Sequence, residues 1–107
     1  MLHLMKRIIS MSRIVESREV TKGTREVIAS AEAGFDERKS ELVIELDSKV
    51  QVTDAHGHDT LVTEDWLPAR DTVREHLPLS DALDASKEIF ECWAHKVRGS
   101  IPSLAEK

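Results

Sequence analysis

The residues best equipped for chemistry are crowded into one short stretch, Asp54-Ala55-His56-Gly57-His58-Asp59. It holds two imidazoles and two carboxylates, the densest set of ligands or acid/base groups in the chain. Asp54, His56 and His58 recur at every second residue, so on an extended strand they share one face at about 7 Å per step. Two histidines and a carboxylate are the donor set of a facial triad for non-haem iron, and they also suit zinc. Asp59 is then available to orient a histidine ring. The same residues serve as a solvated turn, because Gly57 tolerates positive φ and Asp favours turn positions. Strand-like runs on both sides favour the turn, and a turn breaks the shared face. The expectation is a hairpin connection first and a divalent-metal site of Asp54, His56 and His58 second. Two neighbouring histidines also equip the loop to respond to pH.

Other catalytic arrangements are missing. The chain has no G-x-S-x-G elbow, no P-loop, no G-x-G-x-x-G and no H-E-x-x-H. Cys92 is the only cysteine, which excludes an intrachain disulfide and a thiolate zinc site within one chain. A reducing compartment, most simply a cytoplasm, is the expected setting. His95 follows Cys92 by three residues, but no neighbour is evident that would depress the thiol pKa as a nucleophile requires. Carboxylate pairs such as Asp81/Asp84 and Glu88/Glu91 read as exposed helix acids. Trp66, in Asp65-Trp66-Leu67-Pro68, reads as closing the core at a strand-to-helix junction.

The elements that would position these residues belong to one small domain spanning 1–107. Hydrophobic residues make up 40% and charged residues 33%, the balance of a globular protein with a charged surface. Phe35, Trp66, Phe90 and Trp93 are the only aromatics, so the core is mainly aliphatic and base-stacking platforms are disfavoured. No apolar run reaches the about 20 residues of a membrane span, and Lys6 and Arg7 interrupt the start too early for a signal peptide. The net charge of −5 divides unevenly: residues 1–25 carry +4, residues 26–66 carry −8 and the remainder −1. An acidic body disfavours nucleic acid, whose affinity rests on phosphate neutralisation. It suits basic protein partners better.

Plotted at 100° per residue, Leu4, Met5, Ile8, Ile9 and Met11 fall on one half of a helix wheel, with Lys6, Arg7 and Ser10 opposite. This predicts an amphipathic N-terminal arm over 1–11, packed on the body or on a partner. Met11 offers an alternative translation start. Residues 12–33 continue as helix in two pieces, with Gly23 as a costly interruption, Thr24 as an N-cap and Gly34 as the stop.

The period then becomes two. Leu42, Ile44, Leu46, Val50 and Val52 share one strand face, interrupted only by Ser48. The run fits either one strand over 42–53 or a hairpin looped at Asp47-Ser48-Lys49; the absence of Gly favours the single strand. Thr60–Thr63 would pair antiparallel with it. Pro68 opens a short helix ending before Pro78, and Ser80 caps a long one whose stripe runs Leu83, Ser86, Ile89, Phe90, Trp93, Ala94 and Val97. Residues 103–107 form a frayed tail.

The fold class expected is α+β: N-terminal helices, a small antiparallel hairpin or sheet, and a C-terminal helix pair. So small a sheet gains from pairing across a twofold axis. A homodimer is therefore expected, through the edge of strand 42–53 or through the N-terminal stripe. The function expected is a non-catalytic interaction or regulatory protein with no cofactor. The alternatives are a metal-dependent enzyme or sensor using Asp54, His56 and His58, and an acidic protein that binds basic nucleic-acid-binding partners.

Overall fold

In the pattern Val27-x-Ala29-x-Ala31-x-Ala33-x-Phe35 every second residue is apolar. In the computed structural model, which describes residues 6–102, this run lies in strand β2 (Gly23–Asp36). Strand β1 (Lys6–Val20) precedes it. Strands β3 (Glu41–Thr53), β4 (Asp59–Val62) and β5 (Asp71–His76) follow, and then helix α1 (Leu79–Ser100). β1, β2 and β3 make an antiparallel meander. The far side of β3 is shared by two short strands: β5 pairs with Glu41–Leu46 and β4 with Val50–Thr53, both antiparallel.

The α+β composition stands, but the expected N-terminal helices and C-terminal helix pair do not. Residues 6–20, 23–36 and 71–76 are strands, and α1 is the one helix among the described residues. The physical reasons are local. The β1–β2 register shifts between Arg7 and Ile9 and again between Ile14 and Glu16. Each shift puts one residue out of step, so Ile8, Ile9 and Met11 fall at spacings that imitate a helical stripe. Gly23 sits at the start of β2 just after the Thr21-Lys22 turn, where an ideal Cβ would lie 2.2 Å from the Thr53 carbonyl oxygen. Pro68 lies in the β4–β5 connection, and α1 starts after Pro78 with no side-chain cap from Ser80 or any other residue. Leu4, Met5 and the expected tail 103–107 lie outside the described residues.

The choice of a single strand at 42–53 holds, as does the antiparallel strand after the 54–59 loop. Val27, Ala29, Ala31, Ala33 and Phe35 of β2 lie opposite Val50, Ser48, Leu46, Ile44 and Leu42 of β3, so they share one face. Helix α1 buries Ala82, Ser86, Phe90, Trp93, Ala94 and Val97 in the same core. The three alanines of β2 let the helix come close, and Phe90 and Trp93 supply the volume they lack. Within this apolar layer Ser86 satisfies its hydroxyl on the Ala82 carbonyl at 2.8 Å. Ser48 is equally buried, but its hydroxyl has no protein partner. Arg13 of β1 pairs with Glu91 of α1 and ties the first strand to the helix.

The molecule measures 52 × 29 × 21 Å. A 22-residue helix is about 33 Å long, whereas a 15-residue strand approaches 50 Å. The helix therefore cannot cover the whole sheet. Its C-terminal end stops short of the β1–β2 turn.

Candidate functional site

The segment 54–59 is a turn, and Asp54 holds it together. The Asp54 N–H donates to the His58 carbonyl at 3.0 Å, and the Gly57 N–H donates to the Asp54 carbonyl at 3.0 Å. The Asp54 Oδ1 accepts the backbone N–H groups of His56 (2.8 Å) and His58 (2.9 Å). Gly57 has φ 84, a conformation that favours glycine. The Thr53 hydroxyl donates to the Asp59 Oδ1 at 2.6 Å, so Asp59 braces the strand end rather than orienting a histidine. His56 and His58 stand with ring centroids 6.3 Å apart and tilted by 45°, both exposed. The structure thus brings the two imidazoles side by side; Asp54 gives its Oδ1 to the backbone, and its Oδ2 lies 3.4 Å from the His58 Nδ1. Among the described residues no group of three or more His, Cys, Asp or Glu side chains is placed to hold a metal ion.

This geometry has an electrostatic signature. The His58 backbone N–H foremost, helped by that of His56, holds the Asp54 carboxyl below its ordinary value. A carboxyl depressed in the folded state stabilises the fold above its unfolded pKa of about 3.9. That contribution is lost as the pH falls through the lower, folded value. In a carbon-13 NMR titration the side-chain carboxyl resonance of Asp54 should therefore hold steady down to about pH 4 and move only below it. Movement centred above that pH would contradict the turn described.

The N-terminal stripe is divided. Ile8, Ile9 and Met11 are half-buried against the core cluster, which uses part of the surface expected for a partner. The edge of strand 42–53 is also taken. β2 occupies one side and β4 and β5 the other, leaving only Asp47–Lys49 between the two short strands. Side chains close even this gap: the Trp93 indole N–H donates to the Asp47 carbonyl at 2.8 Å, and the Ser48 N–H donates to the Asp47 Oδ1 at 2.8 Å. Dimerisation through that edge would have to displace the protein's own strands.

The opposite edge is different. β1 pairs with β2 alone among the described residues. Between its two register shifts, Ile9–Ile14 is a regular run of six residues, with Ser10, Ser12 and Ile14 exposed on the face away from the helix. Ile14 is 54% exposed, more than most apolar side chains here. The sequence reading missed this edge, although Ile9-Ser10-Met11-Ser12 already alternates between apolar and small polar residues.

Three further features complete the surface. Cys92 is exposed beside Ile89, Trp93 and Val73, in a groove between α1 and β5. Glu32 and Glu45 lie directly opposite each other on the helix-free face, with Asp47 two positions along. Trp66 is half-buried on the β4–β5 connection, so it closes the core at a strand-to-strand junction rather than before a helix. No helix among the described residues is long and apolar enough to cross a membrane. Comparison with protein-family models, curated proteins and solved structures finds no match to this chain.

Proposed function

We propose that this is a non-catalytic interaction protein that works by strand addition at the open edge of β1, with a second copy of the chain as the occupant. One observation carries the reading: the 15-residue strand β1 has a partner on one side only, whereas the other sheet edge is divided between two short strands, β4 of four residues and β5 of six. Main-chain donors and acceptors along such an edge supply affinity to any strand that aligns with them. The six regular residues Ile9–Ile14 match the usual length of a paired strand, about five to six residues.

A twofold axis perpendicular to the sheet would run the two β1 strands antiparallel and leave both helices on one side. Opposed residues must then share a face, which restricts the axis to the level of single residues. At Met11 or Ser12 no arginine meets its own copy; at Arg13 two like charges would be opposed, which is unfavourable. A reducing compartment such as the cytoplasm suits the exposed single thiol of Cys92.

Light scattering at micromolar concentration should give twice the 12.1 kDa of the chain. The double substitution Ser10→Lys/Ser12→Lys sets lysines against one another in either register and should return a folded monomer. A wild-type monomer, or a dimer indifferent to the two lysines, would overturn the proposal.

A further inference from the structure

Beyond the C-terminal end of α1 the helix-side face of the sheet changes character. Val27 gives way to Arg25 on β2, and Arg25 lies directly opposite Arg18 on β1. Like charges in such a cross-strand position repel. Each arginine has recruited a carboxylate: Arg18 pairs with Glu16 on the same strand, and the Arg25 Nη2 donates to Glu64 at 2.7 Å. A guanidinium has five N–H donors, and each of these hydrogen bonds engages one. Both arginines are about one-third exposed, so their remaining donors are neither deeply buried nor fully hydrated.

The two arginines and Glu16 line a cavity of about 170 Å³ whose other walls include Val27, Trp66 and Ile101. We propose that this cavity binds a small organic carboxylate, its anionic head held by Arg18 and Arg25 and its apolar body resting against Trp66 and Val27.

Three physical points choose this class. The volume is close to the about 150 Å³ of a cavity that takes benzene, and well below the about 300–1,000 Å³ of drug- and cofactor-sized sites. One ring or a short branched chain fits; a nucleotide does not. Glu16 and Glu64 already offset the two guanidiniums, so the site takes no more than a single negative charge, held through the N–H donors those carboxylates leave open, and Glu16 repels a second. Two forked donors suit a planar carboxylate. The apolar wall gives inorganic phosphate nothing beyond charge. This site is independent of the β1 edge, so neither reading stands or falls with the other.

The test uses the full chain and benzoate as the probe, followed by the two tryptophan indole N–H resonances. Benzoate should shift the Trp66 signal saturably, with a dissociation constant in the millimolar range, and leave the Trp93 signal in place. Arg25→Gln should weaken binding about tenfold, the equivalent of about 1.4 kcal/mol. The paired substitution Arg25→Gln/Glu64→Gln removes both charges together, so it should stay folded and still bind weakly. No saturable shift, an equal shift with inorganic phosphate, or unchanged affinity in a folded Arg25→Gln/Glu64→Gln variant would each overturn the assignment.

Discussion

Trp93→Ala is expected to lower the unfolding free energy by about 3–5 kcal/mol, a large share of the about 5–15 kcal/mol that holds a typical domain together. Trp93 is 4% exposed and packs into the core cluster that includes the small residues Ala29 and Ala31. Neither alanine can fill the space a lost indole leaves, so a cavity persists. The indole N–H also satisfies the Asp47 carbonyl in the gap between β4 and β5, where no strand reaches it. Trp93→Phe separates the two contributions. It keeps most of the ring volume but leaves the carbonyl without its donor, for an expected cost of about 1–3 kcal/mol. Urea unfolding followed by circular dichroism measures both. A loss below about 1 kcal/mol for Trp93→Ala, less than a typical core truncation, would mean that the helix does not depend on this side chain.

The second large effect is expected at Gly23. A methyl group there meets only backbone: the Thr53 oxygen at 2.2 Å, the Thr53 carbonyl carbon at 3.2 Å and the Asp54 Cα at 3.3 Å. Backbone cannot rotate aside as a flexible side chain would, so Gly23→Ala must push the end of β3 away from β2. The cost is expected to be about 3 kcal/mol, the upper part of the range for overpacking. The damage should be local in pattern. Hydrogen exchange should show lost protection around Thr24, Arg25, Val52 and Thr53, which pair next to the clash, while α1 remains protected. Uniform loss across the molecule, or none, would contradict the close approach.

Much of the architecture on the helix side of β3 was legible in the residues. Leu42, Ile44, Leu46 and Val50 alternate cleanly, and the stripe from Ser86 to Val97 repeats at helical spacing; both became the elements expected. Residues 24–33 were misread because alanine is the strongest helix former in isolation. Ala29, Ala31 and Ala33 occur at spacing two, and their small size is what a sheet needs beneath a closely packed helix. Tertiary packing outweighed propensity there. The bulges of β1 disguised a second strand, because displacing one residue turns alternation into an apparent stripe.

At the candidate sites, Asp54, His56 and His58 were correctly placed on a turn. The engagement of the Asp54 carboxylate by backbone N–H groups depends on the turn's detailed path, which composition does not encode. The opposition of Arg18 and Arg25 was out of reach as well. It depends on the β1–β2 register, which the short turn at Thr21-Lys22 sets.

The order of elements along the chain carries a consequence for synthesis. All five strands are made before α1, yet α1 supplies Ala82, Phe90, Trp93, Ala94 and Val97 to the core over Leu42, Ile44 and Val50. A nascent chain leaving the ribosome therefore carries a bare hydrophobic sheet with an open edge until its helix emerges. Such surfaces are what draw chaperones and aggregation. A chain whose translation stalls before Leu79 would expose that surface, and arrival of the helix is the event that makes the product safe to release.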